Sequence, residues 1–468
     1  MILKNYKEIK NEFFDVVIIG SGPAGMSIAL ELEKKNKRCL IIEAGKDTYD
    51  EFSQSFYKGK ITGDKISELS SSRLRQLGGT SAIWGGWSKP LEDYTFNNWP
   101  IKKTDLDIYQ KSTAEILKIK NTFRINKLSK NINQIEFQYS QVKFADQYIS
   151  HLENSKKIFL LLNTQLSHFE GDNEIVDYAH CFQNQKKIKI RGKKFILACG
   201  GIENSRILLW TKDKNKNLLK DNSNIGKYWM THAWILAGAG LIDEIELKKI
   251  NKGFIDYEGA IHFATGSNFI RDKDLLSCGL YMSKNENKKF YKEIIKDILC
   301  LAPGYGKKIA KKVFNKDLKC GNIFMHVEDY ANIQNEIKLD YQNKDAHNIP
   351  RVNLNYKVSK IAIKSAKLFL EDVANYFRKN DIGRIALKEE LHDEQKFKQL
   401  GTYHHIGGTI MGTNIKNSVV NEDLRVHDIK NLYVVGSSTF PTSGYTNSTF
   451  AIIQLSLRLA NKIINENI

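Results

Sequence analysis

The sequence predicts an α/β protein built around a mostly parallel sheet. Residues 15–19, "DVVII", form a short apolar, β-branched run of the kind found in buried parallel strands. The glycine-rich turn "GSGPAG" (20–25) follows directly, and "MSIALELEKK" (26–35) has apolar residues at helical spacing. A second strand, "RCLIIEAG" (38–45), comes next, and "KKFILACGGIENSRILLW" (193–210) again has the pattern of strand, glycine turn and helix. This order of elements predicts the βαβ unit of a dinucleotide-binding domain.

The glycines of the turn have separate physical roles. Gly20 permits the tight turn, Gly22 lets the backbone approach a pyrophosphate, and Gly25 lets the helix pack against the strand. The helix N-terminus offers free N–H groups to phosphate, and Glu43 can accept hydrogen bonds from ribose hydroxyls. The motif does not by itself separate FAD from NAD. The cofactor contacts expected from this unit are Gly20, Gly22, Pro23, Ala24, Gly25, Glu43 and Ala44.

The composition bounds the class of protein. The chain has 468 residues, of which 41% are hydrophobic and 10% aromatic, and this favours a folded globular protein over a disordered one. No apolar run approaches the ~18 residues that cross a bilayer, and the charged N-terminus does not resemble a secretory signal. We therefore expect a soluble, cytoplasmic protein.

Six cysteines, at 39, 181, 199, 278, 300 and 320, form no CxxC pair, so we expect neither a structural metal nor disulfides.

The formal net charge of +18 admits two interpretations. The lysines are spread along the chain among Asn and Ile, which is typical of a solvated basic surface. The alternative is attraction of an anionic substrate or an acidic membrane surface. No nucleic-acid partner is expected.

Glycine-rich segments further along the chain carry a family resemblance. They are "LGGTSAIWGG" (77–86), "NIGKYWMTH" (224–232), "TYHHIGGTIMG" (402–412) and the long C-terminal stretch 421–463. With the N-terminal unit, these segments resemble the glucose–methanol–choline (GMC) oxidoreductase family of FAD flavoproteins. The resemblance covers residues 1 to about 90, about 190–232 and most of 402–463, and extends weakly through 324–356.

The resemblance implies FAD as the cofactor and further residues that contact it. The segment from Gly78 would run along the flavin, where bulky side chains would displace it. Some sugar-oxidising relatives carry a histidine before the tryptophan of this segment that bonds covalently to the flavin, and here that position is Ile83. We therefore expect noncovalent FAD. The contacts implied are Gly78, Gly79, Thr80, Ser81, Ala198, Gly200, Gly436, Ser437, Asn447, Ser448 and Thr449, with a looser adenine contact near Thr164–Leu166.

The C-terminal motifs supply the expected catalytic pair. "HHIGGTIMG" is similar to the family's "HHMGTTRMG", whose first histidine matches the catalytic position, so His404 is expected to be the base, titrating near neutrality. His405 is the alternative if the register shifts by one. The family's second position falls on Asn447, which would orient the substrate oxygen. Each residue of the pair also has a structural interpretation: His404 as a hydrogen-bonded imidazole and Asn447 as a helix N-cap.

Three positions depart from the family pattern near this pair. Gly408 and Ile410 replace the family's usual Thr and Arg, and Ser448 replaces the proline after Asn447. The lost arginine removes a positive charge, but no expected catalytic group is missing.

The segments that resemble the family are far apart, so the cofactor domain must be discontinuous. We expect a Rossmann-like FAD-binding domain and an α+β substrate domain whose sheet covers the flavin. The expected division is 1–99, 156–232 and 401–468 for the FAD-binding domain, 100–155 for an insertion or cap, and 233–400 for the substrate domain, with helices such as 359–378.

The resulting prediction is an FAD-dependent oxidoreductase that oxidises a CH–OH group. A proton would pass to the base and a hydride to flavin N5, and the resemblance favours a sugar or sugar derivative as substrate. Aromatic residues of the substrate domain would line a sugar site or form ordinary sheet core; these are Tyr281, Phe324, His326 and Tyr330. The alternatives are a nicotinamide-dependent dehydrogenase and a non-catalytic flavoprotein. The sequence leaves the oligomeric state open, and the electron acceptor among O₂, a quinone and a protein.

Overall fold

The computed structural model describes residues 1–172, 174–251, 260–284, 318–393, 397–401 and 403–466, and Cys300 lies outside them. Cys39, Cys181, Cys199 and Cys278 carry free thiols. The strands are β1 (Ile2–Leu3), β2 (Phe14–Ile19), β3 (Cys39–Ile42), β4 (Gly59–Gly63), β5 (Trp87–Ser88), β6 (Ile125–Lys127), β7 (Ile132–Ile135), β8 (Gln138–Tyr139), β9 (Ile158–Leu161), β10 (Thr164–Asp172), β11 (Ile175–Gln183), β12 (Lys186–Ile190), β13 (Gly192–Leu197), β14 (Ala233–Asp243), β15 (Ile261–Thr265), β16 (Cys278–Lys284), β17 (Leu318–Val327), β18 (Glu336–Lys344), β19 (Pro350–Tyr356), β20 (Gly383–Leu387) and β21 (Leu432–Val434). The helices are α1 (Pro23–Lys34), α2 (Glu51–Gln54), α3 (Thr104–Asp107), α4 (Gln110–Ile116), α5 (Phe144–Asn154), α6 (Gly200–Lys214), α7 (Glu244–Asn251), α8 (Ser267–Lys273), α9 (Lys360–Lys379) and α10 (Thr449–Asn465).

A parallel sheet in the order β1-β9-β3-β2-β13-β21 forms the first layer of the fold. Every neighbouring pair in it is parallel. Its central strands are buried on both faces, since Val16, Val17 and Ile18 are fully inaccessible to solvent. The strands come from the beginning, middle and end of the chain. The predicted Rossmann-like, discontinuous α/β architecture is therefore confirmed.

An antiparallel sheet in the order β20-β14-β17-β16-β15-β7-β6 forms the second domain. Because side chains alternate across a strand, one face of this sheet is apolar and packs under α9, with Ile235, Leu280 and Met325 in the shared core. The other face presents Trp234 and Tyr281 to a large cavity. The edge strand β6 and its neighbour β7 come from the stretch expected to be an insertion.

Helix α9 shows how the sequence produces this packing. Its apolar residues recur three and four apart, and this stripe is buried against the sheet; it includes Ala362, Ala366, Phe369, Leu370, Val373 and Phe377. The side chain of Ser359 caps the helix by accepting a hydrogen bond from the N–H of Ala362 at 3.2 Å. Complete burial of one such large apolar side chain contributes roughly 1.5–3 kcal/mol. The helix predicted at 359–378 is thus present.

Smaller sheets complete the fold, in the orders β10-β11-β12, β18-β19-β4 and β5-β8. A buried ion pair fixes the second of these to α6: Arg206 of the helix lies 2.7 Å from Asp345, the residue after β18. Arg206 also contacts Glu203 of the same helix at 3.2 Å. Within the described residues, no helix is both long and apolar enough to cross a membrane.

Candidate active site

A cavity of about 600 Å³ lies where the two domains meet. Residues of both sheets and of the loops between them line it. The part formed by the parallel-sheet domain contains glycine turns and small side chains, namely 20–24, 79–81, 198–201 and 435–437, with Glu43, Ala44, Thr164, Gln165, Leu166, Ser448 and Thr449. The part formed with the antiparallel sheet contains aromatic rings and imidazoles, namely Trp87, His232, Trp234, Tyr281, His326, Tyr403 and His404, with Asn447 beside them.

Several glycines of the wall face open space, and three of them belong to the turns of the parallel-sheet domain. A Cβ atom added at Gly22, Gly200 or Gly436 would meet no protein atom within 4 Å. The same change at Gly25 would place the Cβ 2.0 Å from the carbonyl oxygen of Gly20, so α1 can approach β2 only because Gly25 has no side chain. The first three positions thus form a cradle that a side chain would fill, and Gly25 serves packing.

Glu43 connects the turn to the neighbouring segments. Its carboxylate accepts hydrogen bonds from the N–H and Oγ of Ser21 at 3.1 and 2.6 Å and from the N–H of Gly45 at 2.7 Å. A carboxylate has about four lone-pair directions, so one acceptor position remains for a ribose hydroxyl. The predicted interaction of Glu43 with ribose stays a prediction that this geometry permits.

One residue of the 78–81 segment does not line the cavity as the resemblance predicted. Gly79, Thr80 and Ser81 line the cavity, whereas Gly78 lies behind the wall. The N–H of Gly78 donates to Ser21 Oγ at 3.0 Å, and its φ of +80° suits glycine. Ser81 Oγ donates to the Gly78 carbonyl at 2.6 Å. This segment is therefore held against the glycine turn by its own polar groups.

His404 and Asn447 meet at the imidazole-rich part of the cavity. The Asn447 amide Nδ2 lies 3.3 Å from His404 Nε2, although the two residues are 43 positions apart. The Oδ1 atom of Asn447 is buried and has no hydrogen-bond partner. Helix α10 has Ser448, not Asn447, as its N-cap residue. The amide of Asn447 therefore faces the cavity and does not cap the helix.

His405 faces a different environment from its neighbour. Its Nε2 is 2.9 Å from Ser72 Oγ, and its ring packs against Trp229 with the centroids 5.8 Å apart. Its backbone carbonyl accepts a hydrogen bond from Ser437 Oγ at 2.6 Å. His404, and not His405, is therefore the histidine beside Asn447.

Burial sets the protonation state of His404. It lowers the pKa of this imidazole from 6.5 to about 4, so the expectation of a base titrating near neutrality is wrong for the structure. At pH 7 the ring is neutral, and a neutral imidazole is the form that can accept a proton.

The sequence interpretation gave no role to several residues at this end. His232 contacts His404 directly, and Trp87, Trp234 and Tyr403 line the same region. His232 is the last residue of the segment "NIGKYWMTH", which carries part of the resemblance, but the sequence gives no indication that it contacts His404. Of the four suggested sugar-site residues, Tyr281 and His326 line the cavity; Phe324 stacks against Tyr281 with the centroids 5.1 Å apart, and Tyr330 is 58% exposed and lies outside.

Gly408 has a structural reason to depart from the family threonine. Its φ is +91°, and an added Cβ would lie 2.4 Å from Ser205 Oγ. Both features favour glycine at this position.

Comparisons with known proteins agree with this geometry. A family model described as GMC oxidoreductase matches residues 332–456, and an FAD binding domain model matches residues 15–56. The chain is 25% identical over 300 residues to the fructose dehydrogenase large subunit of Gluconobacter japonicus, covering 64% of this chain and 52% of that protein. It is 26% identical over 282 residues to 2-methyl-1,2-propanediol dehydrogenase of Mycolicibacterium austroafricanum, covering 59% and 48%. The chain thus spans about half the length of these two relatives.

A solved structure of similar fold is pyridoxine 4-oxidase from "Mesorbium loti", with a TM-score of 0.62 and 13% identity over 96% of this chain and 99% of that one. This likeness confirms the two-domain fold, and the glycine cradle lies in the region that matches the FAD binding domain model. The family model and the two relatives support a GMC-type oxidoreductase, to which this chain is similar. The cradle and its volume fit FAD, the cofactor that these matches support.

Proposed function

We propose that the protein oxidises a CH–OH group of a sugar, a polyol or a related alcohol to a carbonyl group, with FAD as the electron acceptor. The observation that carries the proposal is the neutral His404 imidazole beside the Asn447 amide, in the same cavity as the glycine cradle. Alcohol oxidation needs a proton acceptor and a group that holds the oxygen, and this pair supplies both.

His404 and Asn447 have distinct tasks in this proposal. Nε2 of His404 accepts the hydroxyl proton, while Nδ2 of Asn447 donates a hydrogen bond to the oxygen and keeps the reacting C–H in one orientation. Bound FAD would supply the two-electron acceptor, taking the hydride from the substrate carbon at N5. The substrate thus loses one proton and one hydride, and a C=O bond forms.

The wall around the pair favours a substrate with both polar and apolar faces. Trp87, Trp234, Tyr281 and Tyr403 offer aromatic surface, on which the apolar faces of sugar rings can pack. The indole Nε1 of Trp234 and Oδ1 of Asn447 are buried without partners, so each can bond a further substrate hydroxyl. The names of two relatives, fructose dehydrogenase and 2-methyl-1,2-propanediol dehydrogenase, support the same substrate class.

Ile83 supports noncovalent attachment of FAD. This apolar side chain lines the cavity and carries no atom that could bond to the flavin. Precipitation of the purified protein in acid should therefore release all its yellow colour into solution. Colour that stays with the pellet would contradict noncovalent binding.

The proposed activity is tested by mixing the purified yellow protein anaerobically with sugars, polyols, 1,2-diols and simple primary alcohols. We expect at least one of them to bleach the visible flavin bands. A protein without a flavin spectrum that oxidises alcohols with a nicotinamide would favour the dehydrogenase alternative. A flavin that no alcohol reduces would favour the non-catalytic alternative. With a reducing substrate in hand, reoxidation by O₂ and by an artificial quinone distinguishes an oxidase from a dehydrogenase.

A further inference from the structure

His232 lies directly behind His404. Its Nδ1 is 2.8 Å from His404 Nδ1, and the two rings are nearly perpendicular, with the centroids 4.9 Å apart. On its other side, Nε2 of His232 is 3.3 Å from the backbone carbonyl oxygen of Ser443. The side chain is buried, with 2% of its surface exposed. His232 therefore bridges the loop that leads to Asn447 and the imidazole of His404.

These contacts determine where the protons are. Burial, with a smaller contribution from His404, lowers the pKa of His232 to about 3, so this ring is neutral and carries one proton. A carbonyl oxygen can only accept a hydrogen bond, so that proton is on Nε2 and points at Ser443. The Nδ1 of His232 is then an acceptor, and the nitrogen opposite it, Nδ1 of His404, must be the donor.

We propose that His232 is a positioning residue that holds His404 as the Nδ1–H tautomer, with an unprotonated Nε2 beside Asn447. The contact of the Asn447 amide agrees with this, because Nδ2 can only donate and lies 3.3 Å from that nitrogen. The opposite tautomer of His404 would present an N–H group to the substrate hydroxyl and could not take its proton. The importance for catalysis rests on the proposed function, whereas the tautomer itself does not.

The first test uses substitutions of His232 with matched controls. His232→Leu fills the space but cannot accept a hydrogen bond from His404, so anaerobic flavin reduction should slow about 10- to 100-fold, as for other residues that orient a functional imidazole. His232→Asn places an oxygen near the former Nδ1 position and should recover most of the rate. His427→Leu removes a half-buried imidazole that is bonded to Ser418 outside the cavity, and it should leave the rate unchanged. Equal rates for the Leu and Asn variants of His232, both with intact FAD spectra, would overturn the proposal.

The second test does not require turnover or a stable variant at position 232. In the FAD-loaded protein labelled with ¹⁵N at its eleven histidines, two-bond ¹⁵N–¹H correlation spectra show which ring nitrogen carries the proton. The signals that disappear in His404→Gln identify His404. We expect its proton on Nδ1, and a proton on Nε2 would overturn the proposal. If no alcohol reduces the flavin, the proposed function fails, but this spectrum still decides the tautomer.

Discussion

At the residue scale, burial controls the charge of the histidines around the cavity. It lowers the pKa of His404 to about 4 and that of His405 to about 3, and it also lowers the pKa of His326. A cationic ring among these would be costly because neighbouring imidazoles and a low-polarity wall disfavour charge. The site is therefore built for neutral imidazoles, one of which can act as a base.

The pH dependence of flavin reduction follows from the pKa of His404. Because this pKa is lowered below the ordinary 6.5, the neutral base form persists as the pH falls through neutrality and is lost only near pH 4. The rate constant for anaerobic reduction, measured by stopped flow, should be flat between about pH 8 and pH 5. A loss of rate with an apparent pKa near 6.5 would show that His404 is not desolvated in the working enzyme.

The histidines also show the limit of residue-level prediction. The resemblance predicted His404 as the base and His405 as the alternative, and the structure places His404 beside Asn447. The resemblance gave no role to His232, because that contact joins residues 172 positions apart and depends on how two domains meet. It also gave the wrong pKa, because desolvation is a property of the folded cavity.

At the element scale, two glycines of the turn 20–25 have different roles: Gly22 leaves the cradle open, and Gly25 lets α1 pack closely. Gly22→Val should leave a folded protein that does not retain FAD, because its side chain would enter the open cradle without meeting protein. Gly25→Val should destabilise the fold itself, because its Cβ would lie 2.0 Å from a backbone oxygen. Circular dichroism melting and flavin absorbance of the purified variants distinguish the two effects.

A result that reversed this pair would contradict the assignment of the turn. If Gly22→Val kept its flavin, the cradle would lie elsewhere. If Gly25→Val melted like the wild type, α1 would not need its close approach to β2.

The helices and strands could be predicted where the local pattern of apolar residues is sufficient to determine them. The buried strand β2 and helix α9 have unbroken apolar patterns, and both appear within one residue of the expected bounds. The edge strand β6 has the sequence INK and is mostly exposed, so no local pattern marks it. Strand β1 forms only by pairing with β9, more than 150 residues away. Such pairings follow from topology and not from neighbouring residues.

At the scale of the whole molecule, the site exists because two domains meet. The parallel sheet supplies the glycine cradle, the antiparallel sheet supplies the aromatic wall, and the C-terminal segment supplies His404 and Asn447 between them. This is possible because the FAD-binding domain is built from separate segments: residues of the beginning, middle and end of the chain share one sheet. The order of motifs was enough to predict that architecture. The shape of the substrate end, in contrast, depends on side chains that no motif contains.

The most direct test of the account compares His404→Ala and His405→Ala in anaerobic flavin reduction by an alcohol that bleaches the wild-type protein. Both variants should bind FAD, and loss of the base should slow His404→Ala by ~10²–10⁴-fold. His405→Ala should be slowed far less, because its ring bonds to Ser72 and not to Asn447. Equal slowing of both variants would indicate general damage to the segment. Near wild-type reduction by His404→Ala would contradict the assignment of His404 as the base.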